Sequence, residues 1–140
     1  MTEQLSPLLL NCEIASSRVH RLATIQHVRT PITGTLSDGQ HVLDIVDALH
    51  PTPAVGGVPI DRAWKMIQET ETFERGWYAA PIGWFDAEGD GEFTVGIRSG
   101  LVRDRDLTLF AGNGIVAESD PEDEWAEVAL KVRPILDELE

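Results

Sequence analysis

Cysteine is almost missing from the 140-residue chain: Cys12 stands alone, so no internal disulfide can form, and a reducing cytoplasm is the expected setting. Basic residues are scarce too. Lysine and arginine total 11 against 24 aspartates and glutamates, a formal charge of −13, which disfavours nonspecific binding to nucleic acid or to an anionic membrane. An anionic small molecule is still admissible, but it needs a local device such as an arginine, a glycine-loop nest or a bound metal. No apolar run approaches the roughly 20 residues that span a bilayer. The start, MTEQLSPLLL, lacks the basic opening and full apolar stretch of a signal peptide, so neither a span nor a leader is expected. The four histidines show no H-x-x-x-H spacing, and C-x-x-C, G-x-x-x-x-G-K-[ST] and G-x-S-x-G do not occur. Zincin, zinc-finger, nucleotide-binding and serine-hydrolase readings therefore have no sequence support.

What is present is an ordinary globular composition, 42% apolar and 25% charged, of a length that fits one domain, residues 1–140, burying roughly two-thirds of its unfolded surface. Leu5 to Leu10 reads as the tail of a helix. Ser17 to Ala23 and Ile25 to Leu36 read as strands, the second interrupted by Pro31 and Gly34, and Ser37-Asp38-Gly39 marks a turn. Val42, Ile45, Val46 and Leu49 repeat at the helical period, predicting a helix over His41 to Leu49. His50 to Pro59 (HPTPAVGGVP) holds too much proline and glycine for helix or strand and is expected to be an irregular loop of the kind that often carries function. A second helix runs from Asp61 to about Thr70, with Ala63, Met66 and Ile67 inward. Ala79 to Phe85 and Glu92 to Arg98 pair across the turn Asp86 to Gly91, Leu107 to Ala111 forms a further strand, and a helix from Pro121 to about Leu139 closes the chain. Helices alternating irregularly with hairpins indicate an α+β class with a mainly antiparallel sheet.

The chemistry converges on Leu109 to Lys131. In Ala111-Gly112-Asn113-Gly114 the glycines remove Cβ atoms where backbone N–H groups could approach an anion. Ser119 or Asp120 followed by Pro121 makes a good helix start. Glu124 and Glu127 then share one helix face, with Lys131 four residues further on the same side. Two hard oxygen ligands suit Mg²⁺; the same stripe also reads as a solvated face with acidic residues favoured by the helix dipole. Arg98 follows a strand with Phe93, Val95 and Ile97 on one side. Its fork could hold a carboxylate at two points or simply face solvent. His27 and His50 are either ligand donors or satisfied structural histidines.

The segments LHPTPAVGGVP, FERGWYAAPIGWFDAEGDGEF, VGIRSGLV and LFAGNGIVAESDPEDEW, in this order, resemble the C-terminal part of the chorismate-binding enzymes, and specifically the isochorismate synthases, over about Val19 to Ile135. His50-Pro-Thr-Pro-Ala54 stands where anthranilate and aminodeoxychorismate synthases carry an HPAGT-like loop, and RGWYAAPIGW favours the menaquinone-type synthases over those of siderophore pathways. The resemblance implies the anthranilate synthase component I-like α/β sandwich. It further implies that Glu127 is a Mg²⁺ ligand with Glu124 its neighbour, and that Arg98 grips a substrate carboxylate, helped by Gly112 and Lys131. His27 would lie near the ring, and Ala54 and Tyr78 would line the pocket.

By the same resemblance the reaction adds water at ring C2 of chorismate and expels the C4 hydroxyl, using a lysine base and a glutamate acid that belong to an upstream part of the family's domain. The S-x-K-D-R-x-E-H motif, which carries the other Mg²⁺ ligand, belongs there too. The lysines here are Lys65 and Lys131, and neither occupies the base position, so no catalytic acid or base is assigned. Asn113 also departs from the small residue usual between the two glycines. The expected function is thus that of an isochorismate synthase, an isomerase inactive as this piece alone and completed by an N-terminal half or by self-association. Alternatives are a noncatalytic module binding a carboxylate or a partner protein, or another chorismate-using enzyme of the anthranilate or aminodeoxychorismate type.

Overall fold

The computed structural model describes residues 1–21 and 26–139. Helix α1 (Thr2–Leu5) runs through a 3-10 turn (Ser6–Leu8) into strand β1 (Leu9–Ile14). Strands β2 (Arg18–Arg21), β3 (Gln26–Arg29) and β4 (Ile32–Leu36) precede helices α2 (Val42–Leu49), α3 (Pro53–Gly56) and α4 (Ile60–Thr70). Four more strands follow, β5 (Pro81–Phe85), β6 (Gly91–Val95), β7 (Ser99–Arg103) and β8 (Asp106–Phe110), and α5 (Pro121–Asp137) ends the chain. Among the described residues the strands form four two-stranded ladders, β1–β4, β2–β3, β5–β6 and β7–β8. The registers of the first, second and fourth are antiparallel, in agreement with the α+β reading.

Two compact units divide the chain. The first comprises Met1–His50 and Trp84–Glu92, the second Pro51–Gly83 and Phe93–Glu140. In the first, α1 meets α2 and buries Leu5 to 7% exposure. The β1–β4 ladder carries an irregularity between Leu9 and Asn11, where Asn11 turns its amide onto Thr35, accepting from the backbone N–H at 3.1 Å and donating to the hydroxyl at 3.1 Å. Gly34 is required opposite: a Cβ there would lie 2.5 Å from the Asn11 carbonyl. Helix α2 starts on a reciprocal cap, with Leu43 N–H donating to His41 Nδ1 at 3.1 Å and His41 N–H to Asp44 Oδ2 at 2.6 Å.

Several expectations need correction. The segment read as a helix tail, Leu5 to Leu10, ends the short α1 and then becomes strand, because Leu9 and Leu10 pair into β1 rather than continuing a helix. The long strand expected over 25–36 is divided at Pro31, which has no N–H to give; its two pieces belong to different ladders. Residues 22–25, where the first expected strand ends and the second begins, lie outside the described residues. The loop over His50 to Pro59 contains the single helical turn α3, with Pro53 at its first position, where a missing N–H costs nothing. The strand expected over Glu92 to Arg98 stops at Val95, and Ser99–Arg103 opens a hairpin with β8 that was not foreseen. Met66, expected inward on α4, is 68% exposed.

Burial is scant. Leu5 and Ala79 are the buried apolar side chains among the described residues, whereas Trp77 (78%), Trp125 (77%) and Val28 (74%) lie open. The accessible surface is 11335 Å², against about 7,200 Å² for a compact chain of this length and about 8,600 Å² even for two separate globules of the units' sizes. Large apolar side chains left open in this way mark interaction surface, and charge repulsion at −13 is screened beyond about 8 Å at physiological salt. The isolated chain is therefore expected to sediment as a dimer or larger assembly, or to unfold without a sharp transition. A monomer with a single cooperative denaturant transition would show instead that these residues close their own core.

Candidate functional site

The second unit builds its site on the start of α5. Asp120 caps the helix, its Oδ1 accepting from Glu122 N–H at 2.9 Å and Asp123 N–H at 3.2 Å, and Pro121 occupies the first turn. The glycine loop is then tied back onto this helix. Ser119 Oγ donates to Glu124 Oε1 at 2.6 Å while accepting from Val116 N–H at 3.1 Å, and Asn113 Nδ2 donates to the Glu124 carbonyl at 2.6 Å. Lys131 completes the fastening. Its ammonium donates to the Gly112 carbonyl at 3.0 Å and to Asn113 Oδ1, and pairs with Glu127 Oε1 at 2.6 Å.

Facing the loop is an aromatic wall. Tyr78 stacks on Phe110 with centroids 5.5 Å apart and planes at 18°, and Phe73 contacts both rings. The Tyr78 hydroxyl reaches Gly112 so closely that a Cβ at that glycine would stand 2.8 Å from it. Partial burial pushes the Tyr78 phenol above its usual value, against the opposing pull of Arg75.

Backbone strain delivers Arg98. After β6 the chain kinks, with Ala79 N–H donating to the Gly96 carbonyl at 2.7 Å and Gly96 N–H to the Ala80 carbonyl at 2.8 Å. A side chain at Gly96 would stand 2.7 Å from Ile82 Cδ1 and 3.0 Å from the Trp77 carbonyl. Ala79 (φ 63°) and Arg98 (φ 50°) both adopt the left-handed conformation, unusual outside glycine and typical of functional sites when the surroundings enforce it.

These pieces enclose a cleft of about 290 Å³ lined by Ala54, Tyr78, Arg98, Gly112 and Lys131, with Arg75 beside them. Five of the six residues singled out for substrate binding are thus brought together. The sixth, His27, lies exposed on β3 of the first unit, across from His20 in the β2–β3 register. Of the cleft's cations, Arg75 is paired with Glu71 and Lys131 with Glu127, whereas Arg98 forms no ion pair among the described residues. Glu124 and Glu127 follow the α5 face as their spacing indicates, but in different surroundings: Glu124 is half-buried and engaged by Ser119, Glu127 is exposed and engaged by Lys131. Both are hard oxygen donors of the type Mg²⁺ takes, one or two carboxylates with several waters, and each is engaged by another side chain. No group of three or more metal-binding side chains occurs among the described residues. A second hollow of about 420 Å³ opens beside Asn113, Ile115, Glu124 and Trp125.

Sequence reasoning missed Glu71 and Arg75. Both lie past the last residue of α4, Thr70, so their four-residue spacing carries no helical signal. Asn113, noted only as a departure from the small residue usual between the two glycines, links Lys131 to the Glu124 carbonyl.

The whole chain, residues 1–140, matches the chorismate binding enzyme family and belongs to it. It is similar to isochorismate synthase MenF of Bacillus subtilis, 46% identical over 121 residues, which cover 86% of this chain and 26% of that protein. Among solved structures, DhbC of Bacillus anthracis superposes with a TM-score of 0.92 at 38% identity, covering 99% of this chain and 37% of the other. MenF, the menaquinone-specific isochorismate synthase of Escherichia coli, gives 0.87 at 34% identity, covering 95% and 31%. The chain therefore spans between about a quarter and two-fifths of the length of these relatives.

The Gly112–Tyr78 contact makes a checkable pair. Gly112→Ala is expected to destabilise the chain by about 1–2 kcal/mol, since Tyr78 is stacked and cannot simply swing away. In a Tyr78→Phe background the cost should largely vanish, because the next ring atom, Cζ, lies 4.0 Å from the added Cβ. Denaturant melts of the four proteins in a double-mutant cycle measure the coupling. A second expectation concerns pH. Because the folded phenol titrates above its ordinary 10.0, its contribution to stability is complete below pH 10 and is lost as pH rises through the folded value; melts from pH 9 to 11 should weaken in wild type more than in Tyr78→Phe.

Proposed function

We propose that the chain supplies the carboxylate-binding and Mg²⁺-binding side of an isochorismate synthase that isomerises chorismate to isochorismate. The supporting observation is the unpaired Arg98 guanidinium in a cleft whose other cations are already neutralised. A planar fork with no counter-ion among the described residues is suited to a carboxylate, and in a chain of −13 it gives an anion a local reason to bind. Gly112 and the aromatic wall shape the space around it.

Glu124 and Glu127 would hold the metal, which when bound neutralises a second carboxylate and orients the substrate. The chain's own residues then have defined tasks. Arg98 binds a carboxylate, and Tyr78 and Ala54 confine the ligand. Proton transfer is a different matter. A base must reach the proton it abstracts, and no residue here is assigned as acid or base, so turnover requires the remainder of the family's domain. The exposed apolar surface supports that need for a complement. The run RGWYAAPIGW supports a menaquinone-pathway role, and the lone Cys12 supports a reducing, cytoplasmic setting.

Purified chain incubated with chorismate and Mg²⁺ is expected to form no isochorismate above the no-protein control in chromatography. Calorimetry should detect chorismate binding that Arg98→Ala weakens about tenfold or more, the scale of one lost charge-assisted hydrogen-bond pair. Turnover by the chain alone, or binding indifferent to Arg98, would refute the assignment.

A further inference from the structure

The Glu71–Arg75 pair is built with more contacts than any other ion pair among the described residues, yet the proposed chemistry leaves it unused. Arg75 Nε donates to Glu71 Oε2 at 2.7 Å and Nη2 to Glu71 Oε1 at 2.5 Å, a two-point fork that a lysine cannot reproduce. Nη1 donates to the Val55 carbonyl at 2.9 Å, immediately after Ala54. The guanidinium carbon lies 5.7 Å from the Trp64 ring centroid and 5.8 Å from that of Tyr78. Both charged side chains are largely covered, at 18% and 26% exposure.

This geometry suits fixing rather than gripping. Glu71 cancels the charge, so a ligand anion gains little from Arg75. What the guanidinium does touch are the α3 turn carrying Ala54, the end of α4 and the Tyr78 ring. We propose that Arg75 is a positioning residue: through Glu71, the Val55 carbonyl and the Tyr78 face it holds the Ala54–Val55 turn and the aromatic wall in place, and thereby sets the cleft that Arg98 serves. The proposal rests on reading that cleft as the carboxylate site.

Hydrogen exchange followed by mass spectrometry tests it on the full chain, comparing wild type with Arg75→Lys and the milder Glu71→Gln. The turn's own bonds, Val55 and Gly56 N–H to the Thr52 carbonyl and Gly57 N–H to the Pro53 carbonyl, are the reporters. Exchange over residues 52–58 should rise about tenfold in Arg75→Lys, and less in Glu71→Gln, while peptides of α5 stay as in wild type. Chorismate affinity measured by calorimetry should fall about tenfold in Arg75→Lys. Unchanged exchange at the turn overturns the proposal, as does an equal rise in α5, which would mark a general scaffold residue. Local loosening with undiminished affinity overturns it too. If wild type binds no chorismate while the turn still loosens, the ligand reading fails and the positioning role stands.

Discussion

A lysine ammonium has three hydrogens to give, and Lys131 gives them to the Gly112 carbonyl, the Asn113 amide oxygen and Glu127. This one side chain reaches from the body of α5 to the glycine loop and fixes where the loop runs. Asn113 and Ser119 repeat the tie nearer the helix start. With the loop held, Gly112 comes against the Tyr78 hydroxyl, and the aromatic wall acquires its opposite side. The electrostatic result follows from the same contacts. Lysine and glutamate neutralise each other on the helix, so the positive potential of the cleft is concentrated at Arg98.

The two units have unequal responsibilities. The second carries the cleft, the strained backbone at Ala79 and Arg98, and the acidic helix. The first carries the β1–β4 and β2–β3 ladders, whose side chains stand mostly in solvent. A ladder of two strands has little reason to persist unless one face is covered. Exposed leucine, isoleucine and valine along these strands are therefore intelligible as a face awaiting cover, consistent with a chain spanning only part of its relatives' length.

Much of this was legible in the residues because local rules act locally. Helices α2 and α5 follow from period and caps, and the turn at Asp86 to Gly91 from its acidic and glycine residues; each appears close to where those signals put it. The cleft was legible through family resemblance, which points to Ala54, Tyr78, Arg98, Gly112 and Lys131, all of which line it. What escaped depends on partners distant in the chain. Strand β1 is read as strand only beside β4. The β7–β8 hairpin turns on Asp104 in the left-handed conformation (φ 56°), which asparagine or glycine would have advertised more clearly. Arg75 carries no local signal, since its acceptor at Val55 lies twenty residues earlier.

The ladders have a kinetic meaning as well. Three of them, β2–β3, β5–β6 and β7–β8, join strands adjacent in sequence, and only β1–β4 brings together segments with other strands between them. Hairpins of neighbouring strands close within microseconds, because the loop entropy to be overcome is small. Most of the pairing in this chain can therefore be in place early, before any distant surface is found. The slow event is left to side-chain burial, which needs surfaces distant in the chain to meet.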